Sequence, residues 1–385
     1  MKILVLGADG YLGWPTCMYL ANKGHEVLGI DDCSKRFLEI ESNSLGLFSE
    51  NLFGIRYECF KTNFPNANFK ILRHDLKDYE KLKDVMNDFK PNTVIHYAAQ
   101  PSGPYSIKGY KEADYTLMNN LKITHNLIYS IIENNLNTHI IKLGSMGEYG
   151  TPNVDIPEGF FEMEYKGRKD TFLFPRQAGS FYHTTKILET DMLYFYVRHF
   201  DLKVTDLMQG PVYGFITDET KKDDTLFPTF HYDDIFGTCI NRFLIQAIKG
   251  IPLTVYGKGD QSRGYLNLID TLQCVELAAL NEHEKGMRIF NQYTEVFSVN
   301  QIAQKIKETF EERLNIPVHI DHLSNPRRES EEHYYNSEIT QLTNLGLNPH
   351  YLTDDVILEM VSKLIRYTSN IDTDLILPRV KWKGK

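Results

Sequence analysis

Ser145, Tyr182 and Lys186 are the residues of this chain whose types and spacing could do chemistry, the last two inside Tyr182-His183-Thr184-Thr185-Lys186. A phenol acts as a base near neutral pH only if its anion is stabilised. A lysine four positions on, one helical turn away, brings the positive charge that does this. Such a pair can take the proton from a hydroxyl whose carbon is being oxidised, with the Ser145 hydroxyl bonded to the same oxygen. Tyr-x-x-x-Lys alone says little in a chain with 23 tyrosines. Its weight comes from what precedes it.

Residues Lys2 to Gly7 read as a buried parallel strand, and Ala8 to Gly13 turn directly into a helical run from Pro15 to Lys23. Gly7 permits the tight turn, Gly10 lets backbone amides approach a pyrophosphate, and Gly13 allows helix to pack on strand. A second strand, Glu26 to Ile30, ends at Asp31, at about the ~20-residue distance of the acid that holds an adenosine ribose. The expected cofactor is NAD: Asp31 and Asp32 would repel a 2′-phosphate. Lys35 and Arg36 keep NADP open, or are a solvated loop pair. With a nicotinamide to accept hydride, Lys186 is expected both to lower the Tyr182 pKa and to anchor the nicotinamide ribose.

The elements that must position these groups recur along the chain. Apolar strands at 69–75, 93–99, 139–145 and 202–208 alternate with helical stretches, which predicts an α/β fold with a doubly wound parallel sheet. Ligands of such a sheet sit beyond the carboxyl ends of its strands, where Asp75, Gln100, Ser145 and Gln209 fall. Asp75 and Leu76 are expected at the adenine. The segment 33–68 is long for a crossover and is expected, from a helical start at Phe37–Leu45, to border the adenosine side. After about residue 214 the pattern changes, with helices near 235–249, 298–313 and 354–367 and a strand at Ile289–Gln292 returning to the sheet. The expected division is a Rossmann domain over 1–214 joined by 265–295, with 215–264 and 296–385 as a smaller carboxyl-terminal substrate lobe. The tail after Ser369 has no clear periodicity.

The net charge of −9 leaves no broad basic footprint for nucleic acid. Five scattered cysteines without a Cys-x-x-Cys pair suit a reducing compartment and argue against structural zinc. No metal is expected. No run approaches the ~18 apolar residues of a membrane span, so the expected location is the cytoplasm.

The glycine spacing Gly-x-x-Gly-x-x-Gly resembles the extended short-chain dehydrogenase/reductases. Over its whole length the chain is similar to their UDP-sulfoquinovose synthase branch, through Gly7–Trp14, Gly144–Asn153, Ser180–Lys186, Phe236–Phe243, Leu253–Gly259, Asn325–Arg327 and Glu331–Asn336. The resemblance implies UDP-glucose and sulfite as substrates, UDP-sulfoquinovose and water as products, and NAD regenerated in each cycle. It implies Ser145, Tyr182 and Lys186 as catalytic residues. NAD would contact Tyr11, Leu12, Asp31, Asp32, Cys33, Ser34, Lys35, Arg36, Asp75, Leu76, Asn119, Tyr182, Lys186 and Val212. The nucleotide sugar would contact Gln209, Cys239, Ile240, Asn241, Arg242, Thr254, Val255, Tyr256, Arg327, Arg328 and Glu329. Arg242, Arg263 and Arg327 are also the forked donors best suited to a diphosphate.

Ser145 stands where plant members carry threonine, and Pro101, after Gln100, where they carry an arginine near the sugar. Related 4,6-dehydratases carry Asp-Glu after the catalytic hydroxyl, where this chain has Met146 and Gly147. His183 is the expected replacement acid for loss of the carbon 6 hydroxyl; otherwise it is a structural histidine at a helix start. A 4-epimerase and a non-catalytic nucleotide-sugar or redox sensor are the competing readings. Ile187, Leu188, Met192, Phe195 and Tyr196 make the Tyr182 helix apolar on more than one face, and with the helix near 115–132 a homodimer is expected.

Overall fold

A computed structural model describes residues 1–281, 283–326, 334 and 336–380. In chain order the first elements are β1 (Lys2–Leu6), α1 (Gly13–Asn22), β2 (Glu26–Asp31), α2 (Ser34–Glu41), α3 (Phe53–Asn63), β3 (Phe69–Arg73), α4 (Tyr79–Phe89), β4 (Thr93–His96), α5 (Gly103–Ser106), α6 (Tyr110–Glu133) and β5 (His139–Ser145). The hairpin β6 (Phe160–Tyr165) and β7 (Arg168–Leu173) precedes α7 (Phe181–Phe200), β8 (Lys203–Gln209), β9 (Val212–Tyr213), α8 (Cys239–Ile248), β10 (Leu253–Tyr256), β11 (Ser262–Asn267), α9 (Leu268–Leu280) and β12 (Gly286–Gln292). The remainder holds β13 (Glu295–Ser298), α10 (Val299–Leu314), β14 (Ile320–Leu323), α11 (Thr340–Asn344) and α12 (Asp354–Leu364).

Seven strands form one sheet in the order β12-β8-β5-β4-β1-β2-β3, and every pairing in it is parallel. The alternation of side chains across a strand explains why the strands are apolar throughout. Ile3 and Val5 of β1 face a core shared with α1, α3 and α9. Leu4 and Leu6 face the opposite core, shared with α4, α6 and α7. The sheet is therefore doubly wound, as expected. The strand foreseen at 289–292 is the end of β12, which closes the sheet beside β8. A further aromatic and aliphatic core lies under α8, α10 and α12.

The helix expected from residue 235 begins at Cys239. Asp233 Oδ1 accepts the N–H groups of Ile235 and Phe236, which holds 233–238 as a loop. Gly237 packs so tightly there that a Cβ would lie 2.3 Å from the Asp233 carbonyl oxygen. The β6–β7 hairpin was not foreseen; its strand residues are largely exposed and mixed in charge, so no apolar alternation betrays it. The aperiodic tail is described as far as Val380. Arg379 binds Asp234 at 2.8 Å and the carbonyls of Ser42 and Asn43, strapping the tail to the 233–238 loop and to the end of α2.

A methyl at Gly13 would stand 2.0 Å from the Gly7 carbonyl oxygen, a clash between backbone segments that no rotamer relieves. Gly13→Ala is expected to lose ~1–3 kcal/mol of stability together with nucleotide binding. Thermal denaturation and the dinucleotide content of purified protein are the measurements, and a variant that keeps both at wild-type level would contradict the packing described.

Candidate active site

The glycine loop is held from both sides. Gly7 has φ +87°, and a Cβ on it would lie 2.7 Å from the Ala98 nitrogen, so the turn requires glycine. The Asp9 N–H donates to Asp31 Oδ2 at 2.9 Å. Arg36 donates to Asp9 through Nε at 2.6 Å and Nη2 at 2.9 Å, and to the carbonyls of Ser49 and Asn51. The fully buried Arg56 also donates to the Asp9 carboxylate and carbonyl while lying over the Trp14 ring. The long 33–68 segment thus supplies two guanidinium groups that clamp the loop.

Lys35 and Arg36 are not a solvated loop pair. Arg36 is committed to Asp9, and Lys35 reaches Glu39 at 2.7 Å and His231 at 2.8 Å. Asp31 receives the N–H groups of both Asp9 and Cys33; burial, and then the neighbouring Asp9, push its carboxyl up to about 7. Asp32 accepts from the Ser34 N–H.

A cleft of about 370 Å³ runs past the strand ends, lined by Gly10, Tyr11, Leu12, Asp31, Asp32, Ser34, Lys35, Arg36, Leu76, Gln100 and Asn119. Three expected contacts stand elsewhere. Asp75 closes its own turn, accepting from the Lys77 N–H and pairing with Lys77 Nζ. Val212 packs under Tyr11 and Leu12. Cys33, in the left-handed region at φ 60°, precedes α2 as its cap. Gln100 lines the cleft, but its amide is engaged with Ser102 and Thr116.

A second cavity of about 240 Å³ meets the first at Pro104, Gly237 and Thr238, and is lined by Cys239, Arg242, Tyr256, Arg263 and Pro378. Arg242 stacks on Tyr256 at 4.3 Å and donates to the Thr254 carbonyl, while its buried Nε has no partner. Asn241 lines the first cleft and donates to the His231 carbonyl. The Ile240 and Val255 side chains are in the core, so only their main chains could meet a ligand. Arg327, Arg328 and Glu329 lie outside the described residues.

Ser145 is the last residue of β5, beside Gln209 of β8 in register. Its Oγ accepts the Gly147 N–H at 3.2 Å, and its own N–H donates to Glu148 Oε1 at 3.0 Å. The Gln209 Oε1 is buried without a partner. Tyr182 and Lys186 lie in the first turns of α7, capped by Ser180. The Tyr182 N–H donates to Ser106 Oγ at 3.0 Å.

His183 Nδ1 is 2.9 Å from Ser180 Oγ, and its ring covers Gly147: a Cβ there would stand 2.3 Å from His183 Nε2. The imidazole thus fills the space a side chain at 147 would take.

Beneath these residues is a buried ionic network that sequence reasoning missed. Lys142 Nζ, with no exposed side-chain surface, lies 3.3 Å from Glu148 and 3.2 Å from Asp206, and donates to Thr190 Oγ1 and to the Lys186 carbonyl. Arg176 closes on the other oxygen of Glu148 at 2.5 Å. The available signal was a lysine in the apolar strand His139–Ser145, paired in register with Asp206 of the next strand.

The expected lowering of the Tyr182 pKa by Lys186 is not what the geometry gives. Burial first, and then Glu189 and Glu148, push the phenol up, while Lys142 is the cation that opposes them. The Lys186 ammonium instead lies 2.6 Å from Glu189 Oε2.

The model of the NAD dependent epimerase/dehydratase family matches residues 3–291. The chain is 40% identical to the chloroplastic UDP-sulfoquinovose synthase of Spinacia oleracea over 385 residues, which are 99% of this chain and 79% of that one. It is 41% identical to the UDP-sulfoquinovose synthase of Sulfolobus acidocaldarius, over 100% of this chain and 98% of that one. Among solved structures, UDP-glucuronic acid 4-epimerase from Bacillus cereus in complex with UDP-glucuronic acid and NAD shares the fold, with TM-score 0.69 at 19% identity over 94% of this chain and 100% of that one.

Breaking a buried ion pair leaves the partner charge uncompensated, at a cost of ~3–5 kcal/mol. Lys142→Met strands Asp206 in this way, while Glu148 keeps Arg176, and is expected to lose that much in denaturant unfolding. A loss below about 1 kcal/mol, the range of an exposed pair, would show that the network is not the support described.

Proposed function

The chain belongs to the NAD dependent epimerase/dehydratase family, and from that membership we propose that it acts as a UDP-sulfoquinovose synthase, converting UDP-glucose and sulfite to UDP-sulfoquinovose and water. Identity of about two residues in five with two synthases over nearly the whole chain supports this. The observation that carries it within the site is the His183 ring over Gly147, which replaces the acidic side chain of a dehydratase with an imidazole.

The cleft fits a dinucleotide: Gly7, Gly10 and Gly13 leave a bare backbone at the amino end of α1, suited to a pyrophosphate. Asp31 and Asp32 suit an unphosphorylated ribose. Arg36 is tied up by Asp9 and so gives a 2′-phosphate no counter-charge. NAD held by these residues would supply a reversible hydride acceptor for carbon 4 of the sugar.

Tyr182 removes the carbon 4 hydroxyl proton and Ser145 bonds the same oxygen. Oxidation at carbon 4 acidifies the carbon 5 proton; its loss together with the carbon 6 hydroxyl, which His183 protonates, gives water and a carbon 5–carbon 6 alkene. Sulfite adds at carbon 6 of this alkene, carbon 5 takes up a proton, and hydride returns to carbon 4 as Tyr182 returns its proton to the oxygen there. Arg242 and Arg263 face the cavity beside the cleft and bind the diphosphate, while the unpartnered Gln209 Oε1 receives a sugar hydroxyl.

In this reading 1–214 with 265–295 carries NAD and the remainder carries the UDP-sugar, a division that the return of β12 to the sheet supports. The chain pairs with a second copy through α6 and α7, where Met118, Leu188 and Phe195 are exposed. No helix among the described residues is long and apolar enough to cross a membrane, and the cysteines are unpaired, in keeping with a cytoplasmic location.

Incubation with UDP-glucose, with and without sulfite, tests the reaction: a sulfonated nucleotide sugar formed only with sulfite is expected. A 4-keto-6-deoxy product or UDP-galactose as the sole outcome would assign dehydratase or epimerase activity instead. Tyr182→Phe is expected to lower kcat by ~10²–10⁴-fold while keeping bound NAD. His183→Ala should retain oxidation at carbon 4 but lose at least about tenfold in water elimination, and full turnover in that variant would remove His183 from the mechanism.

A further inference from the structure

Lys186 has 3% of its side chain exposed, and an ammonium in such a place is retained as a charge only if something balances it. The Glu189 Oε2 lies 2.6 Å from Nζ, three residues along the same helix, and Glu189 has no exposed side-chain surface. The other Glu189 oxygen has no partner, so the pair with Lys186 is the hydrogen bond that holds this carboxylate. The Lys186 carbonyl is fixed in turn by Lys142 Nζ at 3.2 Å. We infer that Glu189 is the positioning residue for Lys186, the counter-ion that keeps its ammonium charged and aimed within the buried site.

This rests on the NAD-dependent reaction proposed above, with Lys186 as the anchor of the nicotinamide ribose expected from the sequence, and extends it to a residue one turn further along α7. The groups facing the pair are known from each packed element. Lys142 of β5, Glu148 of the turn after it and Tyr182 of α7 all interact with Glu189 or with its field. His96 of β4 feels the Lys186 charge and is held below its usual range by burial first and then by Lys186 and Lys142. Asp206 of β8 binds Lys142 as well.

The carboxylate pushes the Tyr182 phenol up, second only to burial. Removing its charge while keeping its shape should therefore make Tyr182 ionise at lower pH, and the limb of the pH–rate profile that reports Tyr182 moves to the acid side.

The test measures kcat/KM against pH, together with NAD affinity by fluorescence titration, for wild type, Glu189→Gln, Glu189→Asp and Lys186→Met. The expected result is an inactive Lys186→Met, a Glu189→Gln profile whose Tyr182 limb is displaced toward acid with at least tenfold lower activity at the wild-type optimum, and a Glu189→Asp profile returned to the wild-type position. A Glu189→Gln enzyme with the wild-type profile and NAD affinity overturns this inference while leaving the reaction intact. An active Lys186→Met overturns the role given to Lys186 itself. Should Glu189→Gln fail to fold, the double variant Lys186→Met/Glu189→Leu, which removes both charges, is expected to fold; failure of that variant too would overturn the ion pair as the reason for Glu189.

Discussion

The site depends on a balance of buried charge. Lys142, Arg176 and Lys186 stand against Glu148, Asp206 and Glu189, three cations and three carboxylates inside a low-dielectric layer between β5, β8 and α7. Each ion alone would carry a desolvation penalty of several kcal/mol, and pairing offsets it only when the geometry is good. The network therefore contributes less net stability than its number of bonds suggests. Its effect is on position. Glu148 holds the Ser145 N–H, Lys142 holds the Lys186 carbonyl, and strand end and helix start cannot slide without separating charges.

A second balance fixes the cofactor end. Asp9, inside the glycine loop, is shared by Arg36 and Arg56, both from the segment inserted between β2 and β3. The clamp explains why a crossover of unusual length is kept: it supplies side chains that reach back to the loop from outside the sheet. It also bears on specificity. A guanidinium already committed to a carboxylate and two carbonyls has little to offer a 2′-phosphate, so the same contact shapes the loop and disfavours the phosphorylated dinucleotide.

What the sequence makes legible follows from which interactions are local. The strand-turn-helix at Gly7–Gly13 and the Tyr182–Lys186 turn are set by neighbouring residues, and both stand where periodicity and spacing put them. The strands of the sheet are legible for the same reason, since each is a short apolar run. Pairings between distant residues are not. Nothing adjacent to Glu148 announces Arg176, and nothing near Lys35 announces His231, 196 positions away. The start of α8 was misplaced because Asp233 captures the amides that would have opened the helix, a choice no apolar pattern records. The loss of an acid at 147 was visible as a glycine; that an imidazole fills its space requires the fold.

The opposed pKa of Tyr182 closes the argument about how such a site can be both stable and reactive. A phenol held below its usual range at all times would bring a permanent buried anion, and the ionic network would have to carry a fourth cation to balance it. Here the network is neutral without Tyr182, and burial with two nearby carboxylates keeps the phenol protonated. A group so placed ionises when a further positive charge comes within a few ångströms. The oxidised nicotinamide ring of a bound NAD would carry one. In the role proposed for Tyr182, the base would thus be formed by the loaded site rather than by the protein alone, which would tie proton removal to the presence of the group that receives the hydride.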